Sequence, residues 1–385
     1  DLSRQTARLR THLVEGLQGM ADILVFSAGQ RQIDRIWSAH QTLIAGQARM
    51  SRINALAAAA TTMLAGGALW SVLYIGAALV ASRTLDGALL ALMTFATLAA
   101  FEAVMPLSAA YQYLGQTRQA ARRLNDIVRR PPTITFASAP INPEGTGNAF
   151  KNVTFRYRPE DALVLAGFDL HIAPAEHVAI MGATGSGKST LVNLLCRFWD
   201  PEEGSIQIGH VDLGKWPETQ LRQTLAVVSQ QSHLFNTSIR ENLLWAKPEA
   251  EEKELWEALG KARLQAFVAG LPRGLDTWTG ELGQLISGGE ARRLAVAQAV
   301  LRDAPVWILD EPTEGLDAAN ERELIATIQT LTAGRSLLLI THRPVGLAAM
   351  DRVVIIENGQ VAEEGSYDRL MAAKGRLAAM LDAIW

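Results

Sequence analysis

Apolar positions in the first fifty residues recur at three- and four-residue steps. Leu9, Leu13, Leu17, Met20 and Leu24 form one stripe, the spacing of a helix with a single apolar face. The positions between them are polar and rich in arginine, and no lysine occurs before Lys151. One long amphipathic helix is predicted from Asp1 to about Arg52, with a bend at Gly29. The pattern then changes. No charged residue lies between Arg52 and Arg83, and Ile53–Ala81 is mostly alanine, leucine, glycine and small hydroxyl residues. Such a run is long enough to cross about 30 Å of hydrocarbon. The polar turn Ser82-Arg83-Thr84-Leu85-Asp86-Gly87 separates it from a second apolar stretch, Ala88 to about Leu114, interrupted by Glu102 and Pro106. Small residues on both segments suit close helix packing in lipid. At this length a membrane-spanning pair is favoured over the buried core hairpin of a soluble protein.

Arginine sets the expected orientation. Arg49 and Arg52 precede the first span, and Arg118, Arg122, Arg123, Arg129 and Arg130 follow the second, while Arg83 in the turn is balanced by Asp86. Both outer ends are therefore expected on the cytoplasmic side. Arg129-Arg130-Pro131-Pro132 ends the helical region, because proline lacks the donor and restricts its predecessor. Residues 133–147 read as a linker rich in Pro, Gly and Ala. From Asn148 the pattern becomes alternating strands and helices, the mark of an α/β domain.

Composition adds little beyond this division. The chain has 385 residues, a prior for two or three domains. Its net charge of −3 gives no basic field of the kind that binds nucleic acid, so no nucleic-acid partner is expected. The single cysteine, Cys196, excludes an internal disulfide and reads as a small buried residue. The slightly positive mean hydropathy comes from the two apolar stretches. The chain starts at Asp1 with neither methionine nor signal peptide, and two membrane helices rarely make a transport path alone. A fragment lacking earlier spans is expected.

The strongest chemistry lies at Gly182-Ala183-Thr184-Gly185-Ser186-Gly187-Lys188-Ser189-Thr190, between a predicted strand at His177-Val178-Ala179-Ile180-Met181 and a helical run from Leu191. That is the P-loop pattern in its required strand–loop–helix setting. Its glycines let the backbone wrap a polyphosphate, with successive N–H groups and a helix N-terminus facing it. Lys188 can reach the β- and γ-phosphates and the Ser189 hydroxyl can ligate Mg2+. A second motif, Val306-Trp307-Ile308-Leu309-Asp310-Glu311, reads as a strand buried on both faces whose carboxyl end meets a ligand. There Asp310 can hold Mg2+ and Glu311 can polarise an attacking water. Between the two, Ser287 with Glu290 three residues on forms a capping box and exposes another helix N-terminus.

Together these segments resemble the nucleotide-binding domain of the ABC transporter family, from Asn148 to the end of the chain. The resemblance implies an α-helical transmembrane hairpin, the end of an exporter transmembrane domain over residues 1–130, followed after the linker by an α/β P-loop ATPase domain over 148–385. It also implies the site. Gly182, Gly185, Gly187, Lys188, Ser189 and Thr190 would hold ATP, and Tyr157 in Phe155-Arg156-Tyr157 would stack on adenine. Gln230 matches the Q-loop, which contacts Mg2+ and water, so that Ser189, Gln230 and Asp310 surround the metal. His342 matches the switch histidine, making Glu311, His342 and Gln230 the catalytic set. Ser287 and Gly289 would face ATP held by an opposite domain, and Glu314-Gly315-Leu316-Asp317 occupies the D-loop position. Two departures stand out: Glu290 where the family usually has glutamine, and Gln298 where it usually has arginine.

Residues 2–11 fall where exporters place a coupling helix. The strings Leu98 to Pro106 and Tyr111 to Gln116, with Thr313 to Asp317, resemble one half of the CydC–CydD class of heterodimeric exporters. That class is associated with cysteine and glutathione export and cytochrome bd assembly, and haem handling has also been proposed for it. The resemblance therefore implies a different second half as partner and a small thiol as cargo. It also implies a bacterial inner-membrane location with the ATPase domain in the cytoplasm. A homodimeric lipid or drug exporter would share every ATPase motif. A soluble ABC ATPase acting on DNA or ribosomes would have no use for the uncharged run before Arg83.

Overall fold

A computed structural model describes residues 2–230, 233–280 and 286–382, with the side chains of 2, 3, 105–112 and 116 outside the described part. The chain divides at Arg130 into two units. The first contains four helices: α1 (Leu2–Gln18), α2 (Met20–Val25), α3 (Gly29–Ala81) and α4 (Gly87–Val128).

The single helix expected over the first fifty residues is instead three. The chain breaks at Gly19 and turns back between Phe26 and Ala28, where Ser27 adopts φ 50°. Ala28 N–H donates to the Ile23 carbonyl at 2.8 Å and closes the turn. α1 and α3 then run side by side, with Gln32 Nε2 donating to the His12 carbonyl at 2.9 Å. Gly16 makes room for that contact, since a Cβ there would lie 2.9 Å from Gln32 Nε2. The reversal thus precedes the bend expected at Gly29, which opens α3.

α3 runs for 53 residues, about 80 Å at 1.5 Å per residue, well beyond the thickness of hydrocarbon. Its polar first half and uncharged second half are one continuous helix. Arg83, at φ 55°, turns the chain, and Thr84 Oγ1 donates to the Leu79 carbonyl at 2.9 Å. α4 continues through Pro106 to Val128 without ending. Gly76 lets α3 meet Leu90 of α4, which a Cβ would displace. Among described residues, both helices contain windows long and apolar enough to cross a membrane, and those windows are almost wholly exposed.

The second unit holds ten strands and nine α-helices among its described residues. The strands are β1 (Asn148–Phe155), β2 (Leu165–Ile172), β3 (His177–Gly182), β4 (Glu203–Ile208), β5 (Val211–Asp212), β6 (Leu225–Val228), β7 (Val306–Asp310), β8 (Ser336–Ile340), β9 (Arg352–Glu357) and β10 (Gln360–Gly365). The helices are α5 (Lys188–Leu195), α6 (Glu218–Thr224), α7 (Ile239–Leu244), α8 (Glu252–Lys261), α9 (Gln265–Gly270), α10 (Gly288–Arg302), α11 (Ala318–Leu331), α12 (Tyr367–Ala373) and α13 (Arg376–Asp382).

Six strands form the main sheet in the order β10-β9-β3-β8-β7-β6, parallel except for β10. Each central strand feeds two cores by the period-2 alternation of its side chains. Ala179 and Met181 enter one core with α8, α10 and α11, while Val178 and Ile180 enter the other with α5 and the small sheet. All five residues of β7 are buried, the double-faced burial its apolar run predicts. Trp307 is packing, its Nε1 donating to the Ala304 carbonyl at 3.1 Å.

A second, four-stranded antiparallel sheet, β2-β1-β4-β5, is an addition that simple strand–helix alternation does not predict. Residues 131–147 carry no helix or strand, yet they are held down. Phe136 lies 4.8 Å under the Arg197 guanidinium, and Gln220 exchanges hydrogen bonds of 3.0 and 3.2 Å with the Ile141 backbone.

Candidate nucleotide site

The loop from β3 to α5 is shaped by its glycines. Gly182 sits so close to the Ile356 carbonyl and Ser186 Oγ that a Cβ would collide with both. Gly185 and Gly187 take φ of 83° and 102°, a region where only glycine is at ease. Lys188 folds back over the loop, its Nζ donating to the Gly182 and Ala183 carbonyls at 2.8 and 2.9 Å. Only 8% of Lys188 is exposed. Burial holds its pKa below the usual lysine value, against the opposing pull of Glu311 and then Asp310. The loop thus presents a desolvated cation and a run of N–H groups, and a polyphosphate is the natural complement to both.

The carboxyl end of β7 faces this loop. Asp310 is buried, and its Oδ1 has no hydrogen-bond partner. Burial raises its pKa, while the Ser189 hydroxyl, bonded to the same carboxylate, pulls it down. A buried carboxylate oxygen left unpaired costs about 1–3 kcal/mol. Paired with a hydroxyl, it is the hard-oxygen donor set that Mg2+ takes.

Glu311 follows in the left-handed region, at φ 50°. An L-residue there costs about 1–2 kcal/mol, and both ends of its peptide are pinned. Its N–H donates to the Ile340 carbonyl at 2.9 Å, and its own carbonyl accepts from Arg292 Nη1 at 2.7 Å. The constrained backbone turns the carboxylate into the cavity, where His342 Nδ1 stands 3.1 Å from Oε2. Gln230 Nε2 stands 3.5 Å from the same oxygen and 3.0 Å from Glu314 Oε2.

Tyr157 lines the same cavity, half-buried. Its phenol accepts from Asn193 Nδ2 at 2.9 Å and lies 3.2 Å from Thr190 Oγ1, which ties the ring to α5. Phe155 and Trp199 meet it edge-on at 4.9 and 5.4 Å between centroids.

One cavity of about 740 Å³ is lined by Tyr157, Gly182, Gly185, Gly187, Lys188, Ser189, Thr190, Gln230, Glu311 and His342. Asp310 is not in that lining; it is buried and bonded to Ser189, which is. Ser287 and Gly289 are not in that lining. They open α10, where Ser287 and Glu290 form the expected reciprocal capping box, with the Ser287 N–H donating to Glu290 Oε2 at 2.7 Å. Both departures noted in the sequence have structural partners: Glu290 in this cap, and Gln298 through a 2.7 Å bond from its Nε2 to the Asn242 carbonyl.

Sequence reasoning missed Val164 and Met380 as lining residues and Arg292 as the clamp on Glu311. It placed Glu314 in a turn without seeing that its carboxylate enters the cavity. No local pattern marks these four.

The ABC transporter family model matches residues 165–314. The chain is 36% identical over 377 residues to the glutathione/L-cysteine transport system ATP-binding/permease protein CydC of Escherichia coli K12, a match covering 98% of this chain and 65% of that protein. It is 37% identical over 304 residues to the ATP-dependent lipid A-core flippase of Chromohalobacter salexigens, covering 79% of this chain and 52% of the flippase. Its fold is similar to the structure of a bacterial Atm1-family ABC exporter with ATP bound, with a TM-score of 0.87 and 27% identity, covering 99% of this chain and 67% of that one. The chain thus spans just under two thirds of the CydC relative and about half of the flippase. The P-loop geometry, the strand end bearing Asp310 and Glu311, and these similarities agree: the chain carries an ABC transporter ATP-binding domain in an ABC exporter fold, with a helical region ahead of that domain.

Proposed function

We propose that this chain is the ATP-binding/permease half of a heterodimeric exporter in the bacterial inner membrane. Its partner is a CydD-like second half, and ATP hydrolysis drives export of cysteine- and glutathione-type thiols to the periplasm in support of cytochrome bd assembly. The carrying observation is that the similarity to CydC extends over 98% of this chain. It therefore includes α3 and α4, where a substrate path is built, at 36% identity against 32% for a lipid A-core flippase matched over 97% of this chain. The arginines flanking the apolar segments support a cytoplasmic location for the ATPase domain. The start of α1 serves as a coupling helix.

At the nucleotide site, the loop N–H groups and Lys188 bind the triphosphate, Thr190 supports the loop, and Tyr157 stacks on adenine. Ser189 and Asp310 would hold Mg2+, with Gln230 as a further oxygen donor. When bound, the ion neutralises charge on the β- and γ-phosphoryl oxygens. Glu311 takes the proton of the attacking water, and His342 orients that carboxylate at the γ end. Ser287 and Gly289 complete the ATP site of the second half. One chain then supplies two half-sites, and neither closes alone.

A second reading, export of a lipid by the same ATPase cycle, is favoured by the lipid A-core flippase similarity; haem and drugs belong to the same alternative. The test uses the full-length chain with its candidate partner in lipid nanodiscs. ATPase stimulation by glutathione or cysteine, together with uptake into inverted vesicles, supports the thiol reading. Stimulation by lipid A-core or haem alone moves the assignment to the second reading. A stable homodimer with full substrate-stimulated turnover overturns the heterodimer.

A further inference from the structure

The turn after β7 holds one side chain that the ATPase chemistry above does not use. Glu314 N–H donates to the Glu311 carbonyl at 3.2 Å, and Leu316 N–H to the Thr313 carbonyl at 3.1 Å. Gly315 takes φ 76°, and Asp317 caps α11 by accepting from Ala319 and Asn320 N–H, both at 3.0 Å. The turn is therefore pinned before and after Glu314, and its side chain has a defined place. That place is the nucleotide cavity. There Glu314 Oε2 accepts from Gln230 Nε2 at 3.0 Å, and Arg292 Nη2 lies 3.7 Å away.

The chemistry of this contact fixes an orientation. A glutamine amide offers two donors on nitrogen and an acceptor on oxygen, and in isolation nothing decides which faces a neighbour. An ionised carboxylate can only accept. With Glu314 at 3.0 Å and Glu311 at 3.5 Å, the atom between them has to be Nε2. Oε1, the only atom of that side chain able to ligate a hard cation, is then left to other partners. Glu311 alone does not impose this, because 3.5 Å is at the limit of a hydrogen bond and its carboxylate is also engaged by His342.

We propose that Glu314 is a positioning residue, which sets the amide of Gln230 so that Oε1 faces the metal of the nucleotide site. This rests on the reading of the cavity as a Mg2+–nucleotide site. The acid at the head of this turn is thereby coupled to the Q-loop of its own chain.

The test uses the full-length chain with its partner, in nanodiscs, with the P-loop lysine of the partner replaced by alanine. Mn2+ affinity is read by electron paramagnetic resonance in the presence of a non-hydrolysable ATP analogue, and ATP affinity is read separately in EDTA. E314A is expected to weaken Mn2+ binding about ten-fold, in line with loss of one charge-assisted hydrogen bond, with metal-free ATP affinity unchanged. E314Q, whose amide can donate as well as accept and so no longer dictates the orientation of Gln230, is expected to fall between wild type and E314A. The double variant E314A/Q230A is no weaker than Q230A alone, because both changes remove one interaction. Wild-type Mn2+ affinity in E314A, or full additivity in the double variant, overturns the proposal. Absence of ATP and Mn2+ binding in the parent complex overturns the site reading itself, a distinct outcome.

Discussion

β7 and the second half of α3 are both runs of apolar residues, yet they meet opposite surroundings. Ile308 is fully buried, with protein on both faces of its strand. Leu64, Trp70 and Tyr74 are 68, 73 and 81% exposed. A strand inside a parallel sheet is apolar because neighbouring protein covers it. A helix this long and this exposed needs lipid or further helices to cover it, and its interior backbone groups are paired within the helix itself. Similar hydropathy therefore specifies a core in one region and a medium in the other. Chemistry follows the same division: the ATPase unit carries a cavity walled by fixed polar groups, and the helical unit a groove with one carboxylate, Glu102.

The largest expected effect lies where the fixed groups meet the nucleotide. Lys188→Ala removes a desolvated cation and is expected to weaken ATP binding roughly 10- to 100-fold. Glu311→Gln is expected to preserve binding and slow hydrolysis at this site by roughly 10²- to 10⁴-fold. Labelled-ATP binding and single-turnover hydrolysis separate the two, and equal ATP binding by wild type and Lys188→Ala would falsify the assigned role of the lysine.

The comparison itself breaks or holds on one chemical deletion made twice. Ile308→Ala leaves a cavity between two packed faces and is expected to cost about 2–5 kcal/mol in unfolding of the ATPase unit. Leu64→Ala trims a side chain that touches the surrounding medium and is expected to leave that unfolding unchanged. Denaturant titration of both variants, followed by tryptophan fluorescence, decides. Comparable losses would mean that the exposed face of α3 is covered by protein as tightly as β7.

What could be read from the chain follows the same line. The P-loop was legible because its strand, loop and helix are contiguous, and the burial of β7 because five apolar residues in a row admit few alternatives. The reversal between Gly19 and Ala28 was not, since Leu17, Met20 and Leu24 keep helical spacing across the break and periodicity cannot see a turn that preserves it. The attachment of residues 131–147 was hidden for a different reason. Phe136 and Ile141 find Arg197, Arg222 and Gln220 only through tertiary approach. Glu314 and Arg292 belong with them, because α10 and the loops after β6 and β7 converge to bring their side chains to Glu311 and Gln230.

Glu102 offers a smaller effect in the helical region. It borders a groove of about 440 Å³ with Thr61, Thr62, Thr97 and Phe101, where the threonines are satisfied by their own helices. An ionisable group in such a segment is costly unless it serves a path or a partner. We expect Glu102 to face the transport path and to recognise a polar or cationic group of the cargo. Glu102→Gln is then expected to reduce substrate-stimulated ATPase and transport several-fold while basal ATPase stays as it was. Unchanged transport at normal expression would remove Glu102 from the path.

The smallest effect concerns the one thiol, and it turns the contrast between regions into a direct measurement. Cys196 is 3% exposed at the end of α5, and burial pushes its thiol up to about 11 against the opposing charge of Arg222. At pH 7 about one molecule in ten thousand is then the reactive thiolate, compared with a few per cent for a free cysteine. The folded ATPase unit is expected to resist iodoacetamide at pH 7 and to react only when opened by denaturant. A cysteine introduced by Leu64→Cys would therefore report alone. In lipid it should accept an uncharged, lipid-soluble maleimide and refuse a charged one, because the charged reagent does not enter hydrocarbon. Rapid labelling by the charged reagent would put position 64 on a water-filled path rather than against lipid, and the two apolar runs would then differ in their solvent in another way than the one argued here.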